Sequence, residues 1–194
     1  DITSVTTTMF ASFFSFVCSY DAGYGGEVGA YRMIDARLYS MMGKNDARKV
    51  LFKHSESGAQ YTEYESELPD YTNLKFKKVA NWEADYVYMR VSEMILNEAE
   101  ALAHKGDGAA AATVLKELMS QRDPSWNKTS VSPEEVYQQR RLELWGEGFS
   151  LFDHLRLKKG VERNYEGSNH LASAQYTIAP DSWYLHFQIP LREL

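Results

Sequence analysis

Val91, Met94, Ile95, Ala99 and Leu102 recur at helical spacing and mark one apolar face of a helix expected from about Asp85 to Lys105. Gly106 ends that helix, and Asp107 is placed to N-cap a second one. In the second, Ala111, Val114, Leu115, Leu118 and Met119 keep the same spacing up to Arg122. Only Lys105, Gly106 and Asp107 lie between the two, so the helices must run antiparallel as a hairpin. The four alanines from Ala109 to Ala112 let the backbones approach closely. A chain built around such a hairpin is expected to be mostly α.

The flanks are read from the same signals. Asp123-Pro124 stops the second helix, and Trp126 to Thr129 form a polar loop. Ser132-Pro133-Glu134-Glu135 then starts a third helix, with Ser at the N-cap, Pro at the first helical position and Glu closing a capping box. Gly146 and Gly148 interrupt it, Phe149 to Lys158 resume a short helical turn, and Gly160 terminates that turn. The tail is expected to be loop-like, with an extended segment at Leu185 to Ile189.

Upstream, Phe10, Phe13, Phe14 and Val17 fit a short amphipathic helix, followed by a glycine-rich loop at Asp21 to Gly26 that carries Tyr20 and Tyr24 on its flanks. From Tyr31 to about Lys78, runs such as Lys49 to Lys53 suggest loops and short strands. The expected division is a loop-rich, ligand-binding segment over 1–80 and a helical region over 81–194, together one structural unit.

Composition excludes some functions. A net charge of −6 supplies neither the basic stripe that nucleic acid requires nor a polybasic face for anionic lipid. The single Cys18 rules out an internal disulfide and any multi-cysteine metal site, and reads as a small buried side chain. The apolar stretch from Met9 to Val17 is far shorter than the ~20 residues of a membrane span. Aromatic residues, at 13%, are the less ordinary feature; Tyr and Trp rings offer a flat apolar face beside a polar handle, suited to the CH-rich faces of sugars as well as to core packing.

Chemical motifs are sparse. Glu143 and Glu147 lie four apart on what reads as one helix face, and Asp153 follows, a set that would suit a glycosidase. Arg140, Arg141 and Arg156 lie close in sequence, however, and carboxylates beside guanidinium groups are held ionised, so a structural ion-pair network is expected and no catalytic residue. His54, His104, His154, His170 and His186 show no metal-ligand spacing, so no metal-ligating residue and no cofactor is expected, while scattered Asp and Asn leave open a calcium ion bracing a loop. Glycine-rich nucleotide loops and G-x-S-x-G are missing from the sequence.

The run Tyr86-Val87-Tyr88-Met89-Arg90-Val91-Ser92-Glu93, continued to Asn97-Glu98-Ala99-Glu100-Ala101, resembles a segment of the SusD/RagB family in which Arg-x-x-Glu leads into a helix ending Ala-Glu-Ala. The likeness continues through Gly106, Arg122, Arg140-Arg141-Leu142-Glu143-Leu144, Glu147-Gly148, Phe152-Asp153 and Leu155-Arg156. Asp35-Ala36-Arg37-Leu38 is similar to the family's Asp-Pro-Arg-Leu, and Ile189-Pro190-Leu191-Arg192-Glu193-Leu194 to its closing motif. Ala36, Trp145-Gly146 and Ser150 depart from the usual residues. Arg90, Glu98, Arg141, Glu143, Asp153 and Arg156 are expected to be paired scaffold charges.

This resemblance, over about residues 30 to 194, implies the C-terminal part of a mostly α, SusD-like fold with a tetratricopeptide-like helix pair, long irregular loops and few short strands. It implies a non-catalytic cell-surface receptor that binds an oligosaccharide and passes it to a SusC-like, TonB-dependent transporter. It also implies an outer-membrane lipoprotein, anchored through an N-terminal part not in this chain. Tyr20, Tyr24, Tyr31 and Trp126 are the expected ligand-binding residues. A peptide-binding member of the same family, a tetratricopeptide-type interaction scaffold and a carbohydrate hydrolase are the rival readings.

Overall fold

A computed structural model describes residues 31–76 and 89–186. The expected helix over Phe10 to Val17, the glycine-rich loop with Tyr20 and Tyr24, Cys18 and the closing motif at 189–194 lie outside the described residues.

The fold is mostly α. In chain order, α1 spans Ala36–Ser40, α2 Glu63–Glu67, α3 Val91–His104, α4 Gly108–Arg122, α5 Pro133–Glu143 and α6 Ser150–Arg156. Short β1, Val161–Glu162, and β2, Thr177–Ile178, pair antiparallel with Val161 opposite Ile178.

The hairpin forms as the periodicity requires. Gly106, at φ 86°, takes the left-handed conformation, its N–H bonds to the Ala103 carbonyl and the Asp107 N–H to that of Leu102, which is the Schellman closure of a helix end. The Asp107 carboxylate then accepts the Ala110 N–H at 2.9 Å. Leu96, Ala99 and Ala103 of α3 pack against Ala111, Ala112, Leu115 and Met119 of α4 in one buried cluster. The helix begins at Val91 and not near Asp85, because Arg90 is extended (φ −126°, ψ 149°) and turns its guanidinium towards α5. At α5 both arms of the capping box are made between Ser132 and Glu135, with Pro133 in the first turn.

Between residues 31 and 76 the chain departs from the expected strands. Lys49, Val50 and Leu51 belong to a 3-10 turn, Ala47–Leu51, because the buried Asp46 caps it by accepting the Arg48 N–H at 2.9 Å. A second core cluster gathers Ile34, Leu38, Tyr39, Met42 and Phe52 against Leu142 of α5. In it Phe52 meets the Trp145 ring edge to face at 5.1 Å, and burial pushes the Tyr39 hydroxyl up to about 12. Near the C-terminus Leu185 closes a 3-10 turn, Trp183–Leu185, with Leu185 buried instead of extended. Among the described residues no helix is long and apolar enough to cross a membrane.

Candidate functional site

Carboxylates and guanidinium groups converge where α5 ends. α5 stops at Glu143 and the chain turns through Gly146 (φ 77°), so Glu143 and Glu147 do not share a helix face. Arg90 joins them instead: Nη1 donates to Glu143 at 3.0 Å, and Nη2 and Nε donate to Glu147 at 2.7 and 3.0 Å. Arg122 donates twice to Glu143, at 3.0 and 2.9 Å, and Arg48 Nη1 lies 3.8 Å from it. The Lys75 ammonium bonds Glu147 and the carbonyls of Glu143 and Trp145.

Burial alone would raise the Glu143 carboxyl; the Arg122 hydrogen bond and the charges of Arg122, Arg90 and Arg48 overcome it and hold the group at about 2. A carboxylate so held is a poor proton donor near neutral pH.

A second ion cluster ties α3, α5 and α6. Arg140 and Arg156 each donate to Asp153 at 2.8 Å, Arg140 also reaches Asn97 at 2.8 Å, and Arg156 grips Glu100 with two bonds of 2.5 and 2.8 Å. Glu98 and Arg141, expected in the scaffold, are not in it. Glu98 is exposed, and Arg141 lies over the Tyr137 ring at 5.8 Å. Glu100 shares a helix face with the buried Leu96 and Ala103, and Arg140 with Val136 and Glu143, so helical phase marks the right partners. Beside this cluster an open cleft of about 520 Å³ is lined by Asn97, Glu100, His104, Arg140 and Arg156, whose polar groups already serve one another.

On the other side of α5 is a tighter cleft of about 230 Å³. Leu115 and Met119 of α4 line it together with Glu135, Gln138 and Gln139 of α5. Asp123, Trp126, Lys128 and Val131 of the connecting loop and Met41, Gly43 and Asp46 of the 31–76 segment complete it. The loop is fixed at its base: the Asp123 N–H bonds the Met119 carbonyl at 2.8 Å, its carboxylate accepts the Ser125 N–H and hydroxyl at 3.0 and 2.5 Å, and the Trp126 N–H bonds the Asp123 carbonyl at 3.0 Å. A Cβ at Gly43 would press on the Asp123 carboxylate, so a larger residue there would require that side chain to move. At the rim, the Lys128 hydrogen bond and those from Ser132 hold the Glu135 carboxyl at about 2.

Trp126 is half-buried: its ring packs against the α3/α4 core while also lining this cleft. Tyr31 is half-buried and lines neither cleft, so the structure does not bring it together with Trp126. Asp46, Gln138 and Gln139 went unmarked as site residues in the sequence. Gln138-Gln139 carries no motif, and only the cap role of Asp46 could have hinted at its place. Among the described residues no three His, Cys, Asp or Glu side chains are grouped to hold a metal.

The sequence pattern of the SusD family matches residues 20–185. Among solved structures the chain is similar to a SusD-like carbohydrate binding protein from Bacteroides vulgatus ATCC 8482, at 28% identity and a TM-score of 0.62. The likeness covers 83% of this chain and 39% of that one, so the chain spans well under half of that protein's length. No curated protein matches it. The match over 20–185, together with the hairpin and the arginine-held Glu143 that underlie its motifs, shows that the chain belongs to the SusD family.

Proposed function

We propose that the chain is a non-catalytic glycan-binding receptor and that the cleft between α4, α5 and the 41–46 turn holds a sugar. The observation that carries this is Trp126, a half-buried indole that packs against the core and also lines a cleft whose walls carry Asp46, Gln138 and Gln139. An aromatic face for the CH side of a pyranose, next to amide and carboxylate groups for its hydroxyls, is the chemistry that sugar binding requires. The solved relative is described as carbohydrate binding, which agrees with this reading.

The segment over 1–80 supplies ligand contacts in this account, since Met41, Gly43 and Asp46 wall the cleft against the helical region. Tyr20, Tyr24 and Tyr31 are retained as contacts for a longer ligand. The receptor acts in nutrient uptake at the outer membrane surface, lipid-anchored through an N-terminal part, and hands oligosaccharide to a SusC-like, TonB-dependent transporter. No step in it asks Glu143 to give up a proton, in keeping with its arginine partners.

The test is a glycan array probed with the full chain, followed by calorimetry of the glycans it retains. Binding without release of shortened sugars is expected, and Trp126→Ala should weaken it about tenfold (~1.4 kcal/mol). Binding of peptides alone, or release of shortened sugars, would overturn the reading.

A further inference from the structure

Arg48 connects the ion cluster to the cleft. Its side chain is 3% exposed, and its fork bonds two neighbours and faces a third. Nε and Nη2 donate to the Asp46 carboxylate at 2.9 and 2.6 Å, Nη2 also donates to Gln139 Oε1 at 2.7 Å, and Nη1 points at Glu143 from 3.8 Å. Both Asp46 and Gln139 line the cleft, so a guanidinium behind the wall sets how two of its polar groups are turned.

The consequence for Gln139 is chemical. A guanidinium has donors only, so the amide atom facing Arg48 must be the oxygen. That removes the flip freedom which an amide otherwise has. The amide nitrogen is left over. It bonds no protein acceptor among the described residues, and it is not among their buried unpaired atoms. The hydrogen-bonding group that Gln139, a residue of the cleft lining, leaves without a partner among the described residues is therefore an N–H2 donor.

The carboxylates of the wall are unequally compensated. Asp46 is paired with Arg48 and Glu135 with Lys128, whereas Asp123 bonds only Ser125 and no cation among the described residues. An anionic ligand would meet that charge.

We infer that Gln139 is the specificity-determining residue of the cleft, a donor fixed by Arg48 that requires an uncharged oxygen acting as acceptor on the glycan. An acetamido carbonyl, a ring or bridging ether oxygen and a hydroxyl oxygen can each take that place. Arg48 is a positioning residue, acting through Gln139. The inference rests on the glycan reading of the cleft.

The experiment runs the full chain, Gln139→Glu, Gln139→Ala and Trp126→Ala in parallel on an array of N-acetylated, hydroxyl-only and uronate-containing oligosaccharides, with thermal melting of each variant. Gln139→Glu keeps one oxygen on Arg48 and turns the other, an acceptor, into the cleft; it should melt no lower than the parent. It should lose at least tenfold in binding to the neutral glycans, and Gln139→Ala, which deletes the donor, should also lose binding. Loss on chito-oligosaccharides alone identifies the acetamido carbonyl, and loss on cello- or xylo-oligosaccharides as well places the acceptor on an ether or hydroxyl oxygen. Unchanged neutral binding by Gln139→Ala, or a parental preference for uronates, would overturn the inference while Trp126-dependent binding left the glycan reading standing. A parent chain that binds no glycan on the array would sink both.

Discussion

Glu143 is 4% exposed and accepts charge-assisted hydrogen bonds from Arg90 and Arg122. Removing it leaves those guanidinium groups without their anion, the situation in which a buried ion cluster becomes costly. Glu143→Ala is expected to lower stability by about 3–5 kcal/mol in urea unfolding, and a loss under about 1 kcal/mol would show the cluster to be dispensable. The sign of its pH dependence follows from the depressed group. Its folded value of about 2 lies below the ordinary 4.5, so its stabilisation is complete above about 4.5 and lost as the pH falls from there through about 2. Acid titration of the folded state followed by circular dichroism reads this window, and the loss of stability across it should be smaller in Glu143→Ala, where Glu135 still contributes. That Glu143 is held ionised was legible, and Arg90 was among the expected scaffold charges, but which arginines hold the carboxylate was not. Arg48, Arg90 and Arg122 lie 95, 53 and 21 positions away in sequence, and only the fold brings them to one carboxylate.

At the scale of elements, the α3/α4 turn and the start of α5 were legible because their signals are local: the Gly106 closure, the Asp107 cap and the Ser132 capping box act within a few residues of themselves, whereas the start of α3 has no capping side chain and was placed too early. The 31–76 segment was not: its turns have local caps at Asp35, Asp46 and Thr62 but are too short to show a periodicity, and they pack on partners far along the chain, as Lys75 does on Glu147 and Leu38 in its cluster with Leu142. α4 supplies a prediction that local propensity would get wrong. Gly108 stands in its first turn, where Ala ordinarily favours a helix by about 1 kcal/mol. A Cβ there, however, would sit 2.7 Å from the Val131 carbonyl and against the Ser130 hydroxyl. Gly108→Ala is therefore expected to destabilise by about 1–3 kcal/mol in chemical denaturation. A stabilised variant would mean that the 130–131 strap yields without cost. Val131 also lines the Trp126 cleft, so displacing it should weaken glycan binding as well.

For the molecule as a whole, the two hydrophobic clusters share α5: Val136 belongs to the α3/α4 core, and Leu142 to the core of the 31–76 segment. One helix thus welds the two segments, and the cleft opens where α5, the end of α4 and the 41–46 turn meet. The family's motifs map onto this frame, while the polar lining at Asp46, Gln138 and Gln139 carries no motif, as expected where function is grafted onto a common fold. That is why family and fold were readable from sequence and the cleft was not. Trp126 was singled out for its ring, but what makes it a candidate is its place over a cleft assembled from three separate parts of the chain.

Glycan binding in this cleft is tested by a crystal structure of the chain with an oligosaccharide retained on the array. A pyranose ring stacked on Trp126 is expected, with the Gln139 amide nitrogen donating to one of its oxygens. A sugar seated elsewhere, with the Trp126 cleft holding only water, would contradict it.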